Sequence, residues 1–148
     1  MTDAIIIPLE VWQDPQGDVI LVYSEWECSV YFSCWTTSGE PADFICQLSF
    51  QYAFAVRSFA RKYLPYRIPQ PSGHSFILRV PDSDLVREHI TYRLHHYSDS
   101  PPQHSDLKHY VVVGGDIYHE ILANGFTAAT ILKKDVTDPR LLRLIAAA

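Results

Sequence analysis

Apolar and polar positions alternate with a period of two through most of the N-terminal third of the chain, the mark of half-buried strands. Ile5, Ile7, Leu9 and Val11 share one face of a strand predicted over 4–12. Asp14-Pro15-Gln16-Gly17 supplies turn chemistry and Asp18–Tyr23 follows as a β-branched run, so these first two strands are expected to form a hairpin. In the next run, 25–35, Cys28, Val30, Phe32 and Cys34 fall on one face and Ser29, Tyr31, Ser33 and Trp35 on the other. A loop at 36–41 leads to Phe44, Cys46, Leu48 and Phe50, which alternate with mostly polar neighbours. That pattern favours a strand over the rival helix capped by Asp43.

From Tyr52 the period changes. Tyr52, Ala55, Val56, Phe59 and Tyr63 stand at helical spacing, predicting a helix over 52–64 that Pro65 stops, with Phe54, Arg57, Ser58, Arg61 and Lys62 on its outer side. A strand is expected over 74–80, and Pro81-Asp82-Ser83-Asp84 reads as the start of a second helix running to Tyr97. Strands are expected at 108–113 and 117–123 around a Gly114-Gly115-Asp116 turn whose glycines permit positive φ. A third, at 126–132, is expected to close a hairpin through Asn124-Gly125. Thr137 or Asp138 caps a last short helix with Pro139 in its first turn, and Leu141, Leu142, Leu144 and Ile145 must bury against the domain's own sheet or a second copy. The pattern predicts one α+β domain over 1–148: a mainly antiparallel, curved sheet of about six to eight strands, two principal helices and a short C-terminal one.

Composition fits a folded chain of 148 residues, with 47% hydrophobic and 20% charged residues. No apolar run approaches the length needed to span a bilayer, and the start, with an acid at Asp3 and a proline at Pro8, argues against a secretory signal. The expected setting is the cytoplasm, without a membrane. The three cysteines, Cys28, Cys34 and Cys46, form no CxxC pair and are read as reduced, buried thiols.

Charge changes the picture more. The net charge is −5, yet residues 1–56 hold eight acids and no lysine or arginine, while the remainder carries all 12 Lys and Arg against nine acids. Opposite surfaces of this kind suit recognition of a charged partner. Glu25 and Glu27 on the acidic side, and Phe54, Arg57 and Arg61 on the basic side, are the candidate interaction residues. The basic, aromatic segment 57–67 would suit nucleic acid, but a pI of about 5.7 argues against that partner.

No P-loop, nucleophile elbow or HExxH is present, and no metal or cofactor is expected. His89, Arg93 and His96 share a face of the second helix and form the one catalytic alternative, a His/Arg pocket for an anionic substrate. The leading expectation is a non-enzymatic interaction protein, of inhibitor or immunity type, whose acidic strands mask a basic partner, or which associates with itself as a homodimer. A small enzyme or anion-binding protein built on His89, Arg93 and His96 is the alternative.

Overall fold

A computed structural model describes residues 2–68, 75–96 and 106–146, the side chains at 93, 94 and 96 excepted. Twelve strands and two α-helices run in the order β1 (Thr2–Asp3), β2 (Ile5–Ile6), β3 (Trp12–Gln13), β4 (Val19–Tyr23), β5 (Cys28–Trp35), β6 (Pro41–Gln51), β7 (Ala55–Ala60), β8 (Tyr66–Arg67), β9 (Ile77–Arg79), α1 (Asp84–His96), β10 (Lys108–Val113), β11 (Ile117–Ala123), β12 (Gly125–Leu132) and α2 (Leu142–Ala146). One antiparallel sheet has the order β2-β9-β10-β11-β7 and a second the order β12-β6-β5-β3, with β4 also on β5. A short parallel pair, β1 with β8, lies outside both.

The main core fills the space between the sheets. Val30, Phe32 and Cys34 of β5 and Cys46 and Leu48 of β6 pack with Ile77, Val112 and Ile121 of the other sheet. Parts of the outer faces are covered as well. Leu78, Val111, Val113 and Tyr118 form a second cluster with Ala4, while Tyr31 and Ile45 lie under Leu141 and Leu144 at the C-terminal helix. Because both of its faces are covered, β5 is buried from Cys28 to Cys34, its predicted polar face included. Leu141 and Leu144 therefore bury against the domain's own sheet, whereas Leu142 is exposed.

The sheets are joined by two strands that cross together. β6 passes through Tyr52, at φ 52°, towards β7, and β11 passes through Asn124 into β12, so each of these two stretches of chain runs from one sheet into the other. The two crossings are bonded to one another: the Asn124 amide donates to the Gln51 carbonyl at 2.9 Å and the Phe54 amide to the Leu122 carbonyl at 2.8 Å. Strands that switch sheets in this way form the corner of a curled, barrel-like arrangement.

Several expectations are corrected here. Residues 52–64 contain no α-helix: 55–60 is β7, paired with β11, and only Arg61–Tyr63 forms a 3-10 turn. The helical spacing is overridden by cross-strand partners about sixty residues away, which local periodicity does not register. The α-helices among the described residues are thus α1 and α2. Residues 41–51 are a strand, as the alternation favours. β3 and β4 do not pair with each other; both run antiparallel to β5, separated by the Asp14–Asp18 excursion. Asn124-Gly125 is not a hairpin turn, since β12 pairs with β6 rather than β11.

Neither Gly114 nor Gly115 adopts positive φ. A Cβ on Gly114 would stand 2.7 Å from Val19 Cγ2 and one on Gly115 2.8 Å from the Gln16 carbonyl oxygen, so glycine is required there by close approach. The Gly115 amide donates to the Gly17 carbonyl, which ties this turn to the 14–18 excursion. No helix among the described residues is long and apolar enough to cross a membrane.

Candidate functional site

Two places combine charge and chemistry, one exposed and one buried. The first is the tip of the β4–β5 hairpin. The Ser24 amide donates to the Glu27 carbonyl at 2.8 Å, closing a turn with Glu25 and Trp26 at its apex. Trp26 is 91% exposed, and Tyr23 and Tyr52 are exposed beside it. Tyr23, Glu25, Trp26, Glu27, Phe50 and Tyr52 line a cavity of about 270 Å³. Glu27 accepts a 2.7 Å hydrogen bond from the Tyr31 hydroxyl, which in turn accepts from Gln47 Nε2 at 3.0 Å. Burial and then the Glu27 carboxylate push the Tyr31 phenol up to about 12, so this hydroxyl holds its proton and orients Glu27.

The second place is a polar network beneath the outer face of the first sheet. Glu120, 1% exposed, accepts from Arg57 Nε on one oxygen and from the Tyr66 hydroxyl and His109 Nε2, the latter at 2.9 Å, on the other. Register places these groups together. Arg57 is the cross-strand neighbour of Glu120, and β10 brings His109 alongside β11 with the imidazole on the same face. Burial works to raise the Glu120 carboxyl, but hydrogen bonds from His109, Arg57 and Tyr66 and the guanidinium charge outweigh it and hold the carboxyl at about 2. Burial, then the same carboxylate, drives the Tyr66 phenol upward.

Beyond His109 stands Ser83. Its Oγ lies 2.7 Å from His109 Nδ1 and accepts from the Val86 amide at 3.1 Å, capping α1 as its place before Asp84 predicts. With Nε2–H donating to Glu120, a neutral imidazole leaves Nδ1 to accept the Ser83 proton. Arg57, Tyr66, Ser83, Asp84, Leu85 and His109 line a cavity of about 170 Å³ above the network.

The structure separates the residues that the sequence grouped. Glu25 and Glu27 do converge on the hairpin tip, but neither pairs with Arg57 or Arg61. Arg57 is engaged by Glu120 and lies over the Phe59 ring, and Arg61 donates to the Gly114 carbonyl at 3.2 Å. Phe54 faces α1, its ring centroid 5.4 Å from that of His89. The side chains of Arg93 and His96 lie outside the described residues. Among the described residues no group of three or more His, Cys, Asp or Glu is placed to hold a metal ion. The Glu120 network escaped the sequence reading, although a lone acid in phase with the apolar positions of β11 was its available signal. Comparison with known protein families, with curated proteins and with solved structures finds no match.

Proposed function

We propose that this chain is a protein-interaction domain whose hairpin tip, Glu25-Trp26-Glu27 with Tyr23 and Tyr52, engages a basic segment of a partner protein. The observation that carries the reading is Trp26, 91% exposed at the apex of a tight turn and flanked by two acids. Leaving an indole in water wastes a large apolar surface that binding would bury. Tryptophan and tyrosine are the side chains that most often anchor interfaces, and an indole beside carboxylates suits lysine or arginine through both its face and the neighbouring charge. Residues 1–56 contain no lysine or arginine, so Glu25 and Glu27 stand in an acidic stretch of chain, a charge that favours encounter with a basic surface.

Affinity capture from the native host, with the full chain as bait and mass spectrometric identification, tests the reading. A basic partner is expected to be retained by the wild type, lost from Trp26→Ala by roughly 30-fold or more in affinity, and weakened by salt and by Glu25→Lys. Capture that both variants leave unchanged would overturn it.

A second reading, self-association as a homodimer, moves from the C-terminal helix to β12. This edge strand, Gly125–Leu132, contains no charge and no proline, and Thr127–Thr130 are exposed. Such an edge offers its free backbone groups to another strand. Sedimentation that detects only the 16.9 kDa monomer at micromolar concentration rejects the homodimer, and a dimer that Ala129→Lys dissociates supports it.

A further inference from the structure

We propose that Ser83, His109 and Glu120 form a serine nucleophile relay that hydrolyses small carboxylic esters in the cavity beside Arg57 and Tyr66. Three residue types meet in the order this chemistry requires. Ser83 Oγ lies 2.7 Å from one nitrogen of the His109 ring, placed to give its proton to the neutral imidazole, and the other nitrogen is held at 2.9 Å by a carboxylate that is 1% exposed. Here Nδ1 faces the serine and Nε2 the acid. They come from three separate parts of the chain, the turn before α1, β10 and β11, so the alignment is not a by-product of sequence proximity.

The cavity supplies the remaining parts. Asp84 and Leu85 line it next to Ser83, and their amides, in the first turn of the 13-residue α1, have no intrahelical acceptor. Backbone donors of that kind beside a nucleophile can receive the negative oxygen of a tetrahedral intermediate. At about 170 Å³ the space suits an acetyl-sized acyl group rather than a long chain.

The reaction balances without any outside reagent except water. Ser83 Oγ bonds to the ester carbonyl carbon while its proton passes to His109 Nδ1, and Glu120 offsets the imidazolium charge. The bond from carbon to the alcohol oxygen breaks and the alcohol leaves with that proton. Water then adds to the acyl carbon, giving a proton to His109, which returns it to Ser83 as the carboxylic acid departs. Arg57 and Tyr66 do not enter these steps: they are positioning residues, acting through Glu120.

The test uses the full chain, a fluorophosphonate probe and p-nitrophenyl acetate. Peptide mass spectrometry is expected to place one phosphonyl adduct on Ser83, and the acetate ester is expected to turn over above the buffer rate. Ser83→Asn keeps an acceptor for the Val86 amide while removing the nucleophile, so it separates chemistry from helix capping. It is expected to abolish the adduct and lower turnover about 100-fold or more, with an unchanged melting profile. Absence of an adduct on Ser83 in the folded wild type overturns the proposal. So does ester turnover that Ser83→Asn leaves intact. Neither result bears on Trp26, so this relay and the hairpin-tip interaction stand or fall separately.

Discussion

Replacing Glu120 by Gln probes the most heavily bonded charge in the molecule. The carboxylate accepts from Arg57, Tyr66 and His109, and its pKa falls from 4.5 to about 2 on folding. A carboxyl whose folded pKa is depressed adds stability above its unfolded pKa and loses it as pH falls toward the folded one. The full contribution at pH 7 is about 3 kcal/mol, an upper figure because the Arg57 half of the pair is 46% exposed and screened by water. At pH 3 most of the unfolded chains already carry the proton while the folded state still resists it, so roughly 2 kcal/mol of that figure is gone.

Glu120→Gln removes this charge-linked part and turns an amide N–H toward groups that are themselves donors, a cost independent of pH. Urea denaturation of both proteins at several pH values between 7 and 3 reads the effect. The variant is expected to be less stable at pH 7 by about 3 kcal/mol or somewhat more, and the gap to narrow by about 2 kcal/mol at pH 3. Parallel stability curves across that range would refute the assignment of Glu120 as an ionised, hydrogen-bonded carboxylate.

Burial raises the thiols of Cys28 to about 11 and of Cys34 and Cys46 to about 12. Ellman's reagent at pH 8 is therefore expected to modify none of them in the folded protein and all three in urea, and rapid reaction of any one without denaturant would contradict their burial. Gly115→Ala is expected to cost about 1–3 kcal/mol by calorimetry because its Cβ meets the Gln16 carbonyl. Gly125→Ala, whose Cβ meets only Gln51 Oε1 at 3.4 Å, is expected to stay within about 0.5 kcal/mol of the wild type; equal losses would count against the close approach at Gly115. Burial lowers the His119 pKa, while Nε2 is 3.0 Å from the Val19 carbonyl and Nδ1 2.6 Å from Ser58 Oγ. His119 is expected to stay neutral below pH 6.5 by NMR, its contribution to stability complete above the unfolded pKa and declining as pH drops; a midpoint at or above 6.5 would refute this.

Elements whose burial follows from local chemistry were legible. The core face Cys28-Val30-Phe32-Cys34, the strands at 108–113 and 117–123, and the Ser83 start of α1 all follow from alternation or capping. What failed was pairing. Tyr52, Ala55, Val56, Phe59 and Tyr63 stand at helical spacing, yet 55–60 is extended because β11 supplies hydrogen bonds and a carboxylate for Arg57. Asn124-Gly125 reads as a hairpin, yet Phe126 is claimed by Phe50 and Tyr110 in the core between the sheets. The candidate sites divide the same way. Glu25 and Glu27 were visible as neighbouring acids, though at the start of the run 25–35 rather than in the turn they occupy, whereas the meeting of Glu120, His109, Tyr66 and Ser83 depends on register among four distant segments.

The paired crossing at Gln51–Gly125 couples motions as well as sheets. Its partners lie half the chain apart, so the corner forms only after a long loop closes, which places slow, nonlocal pairing at the centre of folding. The two sheets are therefore expected to open as one cooperative unit, with backbone amides of β6 and β11 exchanging with solvent at a common, global free energy. Markedly faster exchange in one sheet would show that the corner acts as a hinge.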